Sequence, residues 1–260
     1  MERLTNTERP SGFSCRGLRI WGLLLVLAGI VGRGLLQNRC LGMMGNLTND
    51  ELMAVLDASG NGMAIATVSL ILQLLETCAV PIFAYLLVTG AAHTSDLKKY
   101  ALRVAVLAVV SELPYNLAFG GKLIGYGIQN PVFGLVLALV MVSFFKQYEG
   151  KTPKLLGIKV LVILMGLLWA KMLRIDHGIP SVLIVTALWF TRRKAMFQNL
   201  FGAAAAMLCS CVSIFYVVSP MVFLAIHFCN GEQGEGNRVV NYLAYPLMLL
   251  AVAVAGIYLF

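Results

Sequence analysis

The sequence predicts an all-α fold, a polytopic transmembrane helix bundle of about eight spans that forms a single domain over residues 1–260. Hydrophobic residues make up 59% of the chain and charged residues only 12%, whereas a soluble domain carries about 25% charged residues. Several apolar runs approach the roughly 20 residues that a helix needs to cross the bilayer core. Because backbone polar groups in lipid must be satisfied within each run, these segments are expected to be helices.

The expected spans differ in length. They lie near residues 18–36, 63–90, 100–119, 131–146, 155–173, 178–191, 198–226 and 239–260. The sixth is short for a span, and the seventh contains Ser219-Pro220, which predicts a kink or a break. The first run is longer than the roughly 7 to 15 apolar residues of a signal peptide, so it is expected to remain as a membrane span.

Basic residues are distributed unevenly between alternate loops. With the N-terminus inside, the cytoplasmic loops hold the larger set, which comprises Arg3, Arg9, Arg16, Arg19, Lys98, Lys99, Arg103, Lys146, Lys151, Lys154, Arg192, Arg193 and Lys194. The opposite loops hold the smaller set of Arg39, Lys122, Lys171, Arg174 and Arg238. Because Lys and Arg accumulate in cytoplasmic loops, the pattern predicts an N-in, C-in protein with a cytoplasmic tail at 1–17 and an external loop at 37–62.

The net charge of +8 fits this membrane orientation. Nucleic-acid binding would require basic residues clustered on one face with interleaved aromatic residues, and no such cluster is evident here. The lipid bilayer is therefore the expected partner, and no nucleic acid is expected.

Polar side chains recur at one depth, near the outer ends of several expected spans. Glu112 lies beyond Arg103 on the third span, roughly 13 Å further along the helix axis. The others at this depth are Asn116, Asn130, Asp176, His177, Asn230, Asn241 and Tyr242. Ionisable groups inside a membrane usually face a bundle interior or a watery cavity, so the pattern predicts a shared pocket. Ordinary caps and interfacial residues are the alternative for Asn130, Asn230, Asn241 and Tyr242.

Glu112, Asp176 and His177 are the candidate catalytic residues of this pocket. A carboxylate beside an imidazole is a common way to set a general base near neutral pH. Structural alternatives stay open: Glu112 as an ion-pair partner or a protonated carboxyl bonded to a neighbouring helix, and Asp176 as a helix cap. Glu76, mid-span beside Gln73, is predicted to pair with Arg33 or Lys159, or else to mark a substrate path.

Residues 80–119, VPIFAYLLVTGAAHTSDLKKYALRVAVLAVVSELPYNLAF, form a motif-rich segment. Its characteristic residues, at fixed spacing, are Pro81, Ile82, Phe83, Leu86, Leu87, Gly90, His93, Thr94, Lys99, Tyr100, Arg103, Ser111, Glu112 and Pro114. The pattern resembles the signature region of the TraX family of bacterial membrane proteins. Further similarities are Asn130 with Phe133, Asp176 with Gly178, Asn230-Gly231 with Gly234, and Tyr245-Pro246. The resemblance implies a multi-pass protein of the bacterial cytoplasmic (inner) membrane.

The resemblance also implies acyl transfer, because the family is named for the protein that acetylates F pilin in conjugation. It implies acetyl-CoA or another acyl-CoA as donor, a pilin-like or envelope molecule as acceptor, and no metal. Lys98 and Lys99 would hold the phosphates of the donor, although the positive-inside bias alone also predicts basic residues there. The substrate-binding candidates are Arg19, Arg103, Asn116, Asn130 and Asn230.

Three positions depart from the family pattern. Ile30 and Met248 stand where the family has histidines, and Thr77 stands where it has an arginine. A base is worth about 10²- to 10⁴-fold in rate, and isoleucine or methionine cannot supply one. One hypothesis moves catalysis to His177, with Asp176 orienting it. The others are a non-catalytic assembly or partner-binding protein and a small-solute transporter.

Overall fold

The computed structural model describes residues 12, 14–42, 49–58, 60–125, 127–150, 152–229 and 238–259. The helices are α1 (Cys15–Gly29), continued by a π-helix (Ile30–Cys40), α2 (Asn49–Ala58), α3 (Gly62–Thr77), α4 (Ala79–His93), α5 (Leu97–Gly120), α6 (Val132–Gln147), α7 (Pro153–Met172), α8 (Gly178–Thr191), α9 (Ala195–Leu208), α10 (Val222–His227) and α11 (Arg238–Leu259). Two 3₁₀ segments, Cys209–Cys211 and Ile214–Met221, join α9 to α10. The predicted all-α fold is confirmed.

Several helices are long and apolar enough to cross a membrane. Within the described ranges these segments are Cys15–Cys40, Gly62–His93, Leu97–Gly120 and Pro153–Met172. Shorter apolar helices accompany them at Val132–Gln147, Gly178–Thr191, Ala195–Cys211, Ile214–His227 and Tyr242–Tyr258. The chain is therefore a multi-pass helical membrane protein. The 14 residues of α8 extend about 21 Å at 1.5 Å per residue, less than the roughly 30 Å of a bilayer core.

Helix boundaries follow local sequence signals. The Asp96 side chain caps α5 by accepting a hydrogen bond from the Lys99 backbone N–H at 3.0 Å. Gly121 ends the same helix with a φ of 65°, in the left-handed region that glycine adopts without a steric penalty. The second expected span is divided at Cys78, between α3 and α4. Pro81 follows shortly after, and its missing N–H removes a helical hydrogen bond at that level.

Small residues allow α1 and its π-helical continuation to pack closely on α3. Gly29 lies directly against the Glu76 side chain, and Gly32 lies against Leu72 and the Ser69 backbone. The Ser69 hydroxyl also donates a hydrogen bond to the Gly32 carbonyl at 2.8 Å. Such glycine contacts let helix backbones approach within a membrane, and here they fix α1 and α3 as antiparallel neighbours.

The start of α1 and the end of α11 lie on opposite faces of the bundle. We call the face with Cys15, at the start of α1, the N-terminal face, and the face with Cys40 the C-terminal face. Cys229, just after α10, lies beside Cys15 with the two sulfurs 3.8 Å apart. Gly256, near the end of α11, lies against Arg39. Helix α11 therefore crosses from the N-terminal face to the C-terminal face, and the predicted N-in, C-in arrangement is wrong.

A helical hairpin causes this difference. The stretch expected as one long span near 198–226 turns back at residues 212–213, so that α9 and α10 pack against each other. Asn199 Nδ2 lies 3.1 Å from His227 Nδ1, and Gly202 packs on the Phe223 ring. Because the chain returns to the face from which it entered, α11 begins on the face opposite to the one predicted. Arg238, which begins α11, thus joins the face with the larger basic set.

The Gly202 contact gives a first prediction. A Cβ at Gly202 would collide with the Phe223 ring, so Gly202→Ala is expected to destabilise the hairpin by about 1–3 kcal/mol through overpacking. Gly157→Ala is the matched control, because a Cβ on Gly157 of α7 meets no atom within 4 Å. Thermal unfolding in detergent should show a lower midpoint for Gly202→Ala alone. Equal midpoints for both variants would contradict the hairpin packing.

Candidate functional site

Two cavities enter the bundle from opposite faces and share the side chains of Glu76 and His177. The cavity on the N-terminal face, here called the N-face cavity, has a volume of about 960 Å³. The cavity on the C-terminal face, the C-face cavity, has a volume of about 790 Å³. Glu76 lies in the last turn of α3 and is only 8% exposed, while His177 directly precedes α8. These two side chains therefore form the boundary between the cavities.

The N-face cavity combines a basic mouth with an apolar interior. Arg19, His93 and Arg103 line the mouth with Tyr100. The apolar lining includes Leu23, Val26, Val80, Phe83, Leu87 and Leu107. Such a cavity suits an elongated ligand with an anionic end at the surface and a less polar end inside, because arginine side chains bind phosphates strongly.

The C-face cavity is richer in polar groups. Its lining includes Arg33, Gln37, Asn38, Gln73, Lys171, Arg174 and Asp176. The Gln73 amide N–H₂ donates hydrogen bonds to Gln37 Oε1 at 2.8 Å and to the Ser69 hydroxyl at 3.0 Å. Amides held in this way present fixed donors and acceptors to a polar ligand.

His177 occupies the boundary in an uncommon backbone conformation. Its φ of 53° lies in the left-handed region, which a non-glycine residue adopts at some energetic cost and which is frequent at functional sites. The imidazole Nδ1 lies 2.5 Å from the Tyr216 hydroxyl. Nε2 is buried and has no hydrogen-bond partner within the described part of the chain. In the tautomer whose Nδ1–H donates to Tyr216, Nε2 carries a lone pair and can accept a proton.

The two carboxylates beside His177 have different surroundings. Nε2 lies 4.0 Å from Glu76 Oε1 and 3.7 Å from Asp176 Oδ1. The other oxygen of Asp176, Oδ2, accepts hydrogen bonds from Arg33 Nη2 and from the Tyr115 hydroxyl, both at 2.6 Å. Asp176 is thus tied to an arginine, whereas Glu76 faces the imidazole.

Asp176 lies in the turn between α7 and α8, outside the helices. A short backbone bridge holds this turn: Gln129 donates to the Arg174 carbonyl at 3.0 Å and accepts from the Asp176 N–H at 2.9 Å. Burial by itself would raise the pKa of Asp176, but the Arg33 guanidinium holds that pKa well below its usual range. Asp176 is therefore ionised next to His177.

The structure places Glu112 in a different contact from the one predicted. Its Oε2 accepts hydrogen bonds from the Asn130 backbone N–H at 3.1 Å and from the Asn130 amide at 2.7 Å. Asn130 also donates to the Ala108 carbonyl and accepts from the Val132 N–H at the start of α6. Glu112 lines neither cavity and, within the described ranges, forms no hydrogen bond or ion pair with Asp176 or His177. The contact of Glu112 with Asn130 agrees with the structural alternative, in which this carboxyl group is hydrogen-bonded to a neighbouring part of the bundle.

The remaining binding candidates fall into three groups. Arg19 and Arg103 line the N-face cavity. Asn116 is buried and lines neither cavity. The donor candidates Lys98 and Lys99 are exposed outside the cavity mouth, where the Lys99 ammonium lies 3.4 Å from Asp96.

Two further expectations concern α11 and the loop before it. Asn230 lies outside the described residues. Tyr242 lines the N-face cavity instead of the opposite depth expected from sequence, because α11 runs in the reverse direction. The structure therefore brings together only some of the side chains that the sequence predicts at one outer depth.

Sequence reasoning missed the partners that organise the boundary. The sequence pattern predicts Arg33 as a partner of Glu76, whereas in the structure its ion pair is with Asp176. Lys159, the other expected partner, donates instead to the Gly150 carbonyl at 2.7 Å. Glu76 therefore forms neither predicted ion pair, and its place in both cavities fits the alternative of a substrate path. An arginine within the apolar run of the first span was the available signal.

The three departures from the family pattern occupy packing positions. Ile30 is fully buried, Met248 packs against the core, and the Thr77 hydroxyl donates to the Phe215 carbonyl at 2.9 Å. Of the three histidines in the chain, His93 lies at the N-face mouth and His227 at the hairpin end, and His177 alone lines both cavities. Within the described ranges, no cluster of His, Cys, Asp and Glu side chains could hold a metal ion.

Comparison of the sequence with known protein families gives a match. The family described as TraX protein matches residues 52–255. This range includes Glu76, Asp176 and His177, whereas Arg19 and Arg33 precede it. Neither a curated protein nor a solved structure was found to match the chain. The match covers most of the sequence and confirms the resemblance, so the chain belongs to the TraX family.

Proposed function

We propose that this protein transfers an acyl group from an acyl-CoA in the N-face cavity to an acceptor in the C-face cavity. One observation carries the proposal: the two cavities share Glu76 and His177. A donor and an acceptor that enter from opposite faces can react only where both reach one base. His177 Nε2, which is buried and has no hydrogen-bond partner among the described residues, is the base of this proposal.

The donor side is assigned from charge. Arg19, His93 and Arg103 line the mouth of the N-face cavity and would bind the phosphates of the CoA moiety. Of the basic residues that the structure describes, most lie on the N-terminal face, where α11 also begins. This distribution supports the assignment of that face to the cytoplasmic side of a bacterial inner membrane. Acetyl-CoA and other acyl-CoA donors would then reach the cavity directly from the cytoplasm.

The acceptor reacts as a nucleophile at the thioester carbonyl. As its amine or hydroxyl attacks, His177 Nε2 takes the proton, and the thiolate of CoA leaves toward the N-face cavity. Asp176 Oδ1, 3.7 Å from Nε2, stabilises the imidazolium that forms, while Arg33 holds the other carboxylate oxygen. Gln37 and Gln73 would orient the acceptor, which is an envelope or pilin-like molecule.

The test separates the donor-binding mouth from general damage to the protein. Arg19→Ala is expected to raise the KM for acetyl-CoA by about 10-fold or more, because a charge-assisted hydrogen bond contributes about 1.5–3 kcal/mol. The KM for S-acetyl-pantetheine, which lacks the nucleotide phosphates, should change little. Release of free thiol by purified protein, with a glycine-terminated peptide or water as acceptor, measures both.

Lys154→Ala is the matched control, because it removes one exposed positive charge from the same face. Wild-type protein that releases no thiol from either donor would contradict the proposed function. Equal effects of Arg19→Ala on both donors would contradict phosphate binding at the mouth.

Transport of a small solute is the second candidate, because opposed cavities with a thin boundary are also what a transporter needs. Uptake of solute into proteoliposomes without an acyl donor would favour transport. Thiol release that depends on His177 would favour transfer.

A further inference from the structure

We infer that Glu76 is the general acid that protonates the departing thiolate on the donor side, an inference that rests on the proposed function. His177 accounts for the proton taken from the acceptor, but an alkyl thiolate leaves more readily when it is protonated. An acid for this step must face the N-face cavity and exchange protons with the base. Glu76 meets both requirements, because it lines both cavities and lies 4.0 Å from His177 Nε2.

The environment of Glu76 distinguishes it from the other acidic groups nearby. Asp176 is committed to Arg33 and Tyr115 through short hydrogen bonds, and Glu112 is committed to Asn130. Glu76 forms no ion pair with an arginine or lysine within the described ranges, and Nε2 of the His177 imidazole lies 4.0 Å from its Oε1. Because Glu76 forms no salt bridge with Arg33, which is paired with Asp176, it can change its protonation state without breaking one.

Packing fixes the position of this carboxyl group. Gly29 lies directly against the Glu76 side chain, and a Cβ there would collide with the carboxylate. Glu76 also lies in the last turn of α3, immediately before the break at Cys78. The side chain is therefore held at the boundary by α1 on one side, and a closing movement of about 1 Å would bring it into hydrogen-bond range of Nε2.

The proton balance of the step is complete. The acceptor N–H or O–H bond breaks as the new acyl bond forms, and its proton goes to His177 Nε2. Glu76, protonated at the start, gives its proton to the CoA sulfur as the acyl carbon–sulfur bond breaks. The imidazolium then returns a proton to the Glu76 carboxylate, so that both groups are restored and free CoA thiol leaves through the N-face cavity.

Thioesters with different leaving groups test this role. Glu76→Gln keeps the size of the side chain but cannot donate this proton. With acetyl-CoA, its transfer rate should fall by about 10²-fold or more. With S-phenyl thioacetate, whose thiolate is far less basic and needs no protonation to leave, the rate should fall by only about 10-fold or less.

The ratio of the two rates within one variant does not depend on how much protein is folded. Glu149→Gln, at an exposed carboxylate of the N-terminal face, should leave the ratio unchanged, and Glu76→Asp should restore part of the lost activity. A Glu76→Gln defect of the same size with both thioesters would overturn the acid role while leaving acyl transfer intact. Wild-type protein inactive with both thioesters would overturn the acid role together with the proposed function.

Discussion

His177→Asn should lower the rate of the proposed acyl transfer by about 10²- to 10⁴-fold, the range that a positioned general base contributes. Asparagine is the most informative replacement, because it tolerates the left-handed backbone that His177 adopts at a φ of 53°. The loss should therefore reflect the missing imidazole rather than a distorted turn before α8. Single-turnover measurements with acetyl-CoA would isolate the chemical step from product release.

His227→Gln is the matched control for this variant. His227 lies at the end of the hairpin, next to Asn199, and lines neither cavity. Its replacement should leave the transfer rate within a few-fold of wild type. A His177→Asn protein that folds normally and retains wild-type single-turnover rates would rule out His177 as the base.

Breaking the Arg33–Asp176 pair should have the largest effect on stability. Removing one partner of a fully buried ion pair costs about 3–5 kcal/mol, because the other charge remains buried without compensation. The Arg33 and Asp176 side chains keep 20% and 15% exposure, so the loss is expected at or below the lower end of that range. Asp176→Asn is therefore expected to lower the midpoint of thermal unfolding markedly. The double variant Arg33→Met with Asp176→Leu should recover most of that loss, since a well-packed apolar pair is often as stable as the ion pair that it replaces.

The double variant also separates stability from catalysis. It should fold but transfer acyl groups poorly, because His177 loses the carboxylate that stabilises its charged form. An Asp176→Asn protein as stable as wild type would show that the pair contributes nothing to the fold.

The destabilisation by Asp176→Asn should not vary between about pH 5 and 8. Burial by itself would raise the folded-state pKa of Asp176, but the neighbouring Arg33 guanidinium outweighs burial, so that this pKa is lowered. A carboxylate with a lowered folded-state pKa stabilises the protein above its unfolded pKa of about 3.9, and this contribution is lost only as the pH falls toward the folded value.

Individual elements show why sequence patterns predicted some features well. The expected span at 178–191 matches α8, Gly178–Thr191, because the apolar run is bounded on both sides by polar residues. The third expected span, 100–119, lies within α5, Leu97–Gly120, where Asp96 and Gly121 give clear start and stop signals. Such signals are local, and lipid enforces them because an unsatisfied backbone cannot remain in hydrocarbon.

The hairpin of α9 and α10 shows where sequence patterns failed. An apolar run of nearly 30 residues with one proline is compatible with a single broken span or with a hairpin. The choice depends on contacts such as Gly202 with Phe223, which join residues of two different segments. Since each pass reverses the chain, this one difference moved the start of α11 and Tyr242 to the opposite face.

The sequence by itself determined that the chain is a helical membrane protein of the TraX family. It also predicted Glu112, Asp176 and His177 as catalytic candidates, of which the structure brings Asp176 and His177 together and places Glu112 against Asn130. Only the tertiary structure decided which groups surround them. Arg33 and Asp176 are 143 residues apart in the chain, and Glu76 reaches His177 only because glycines let α1 and α3 pack closely. Composition and periodicity report what each segment buries, whereas the partners of a buried charge depend on which segments pack together.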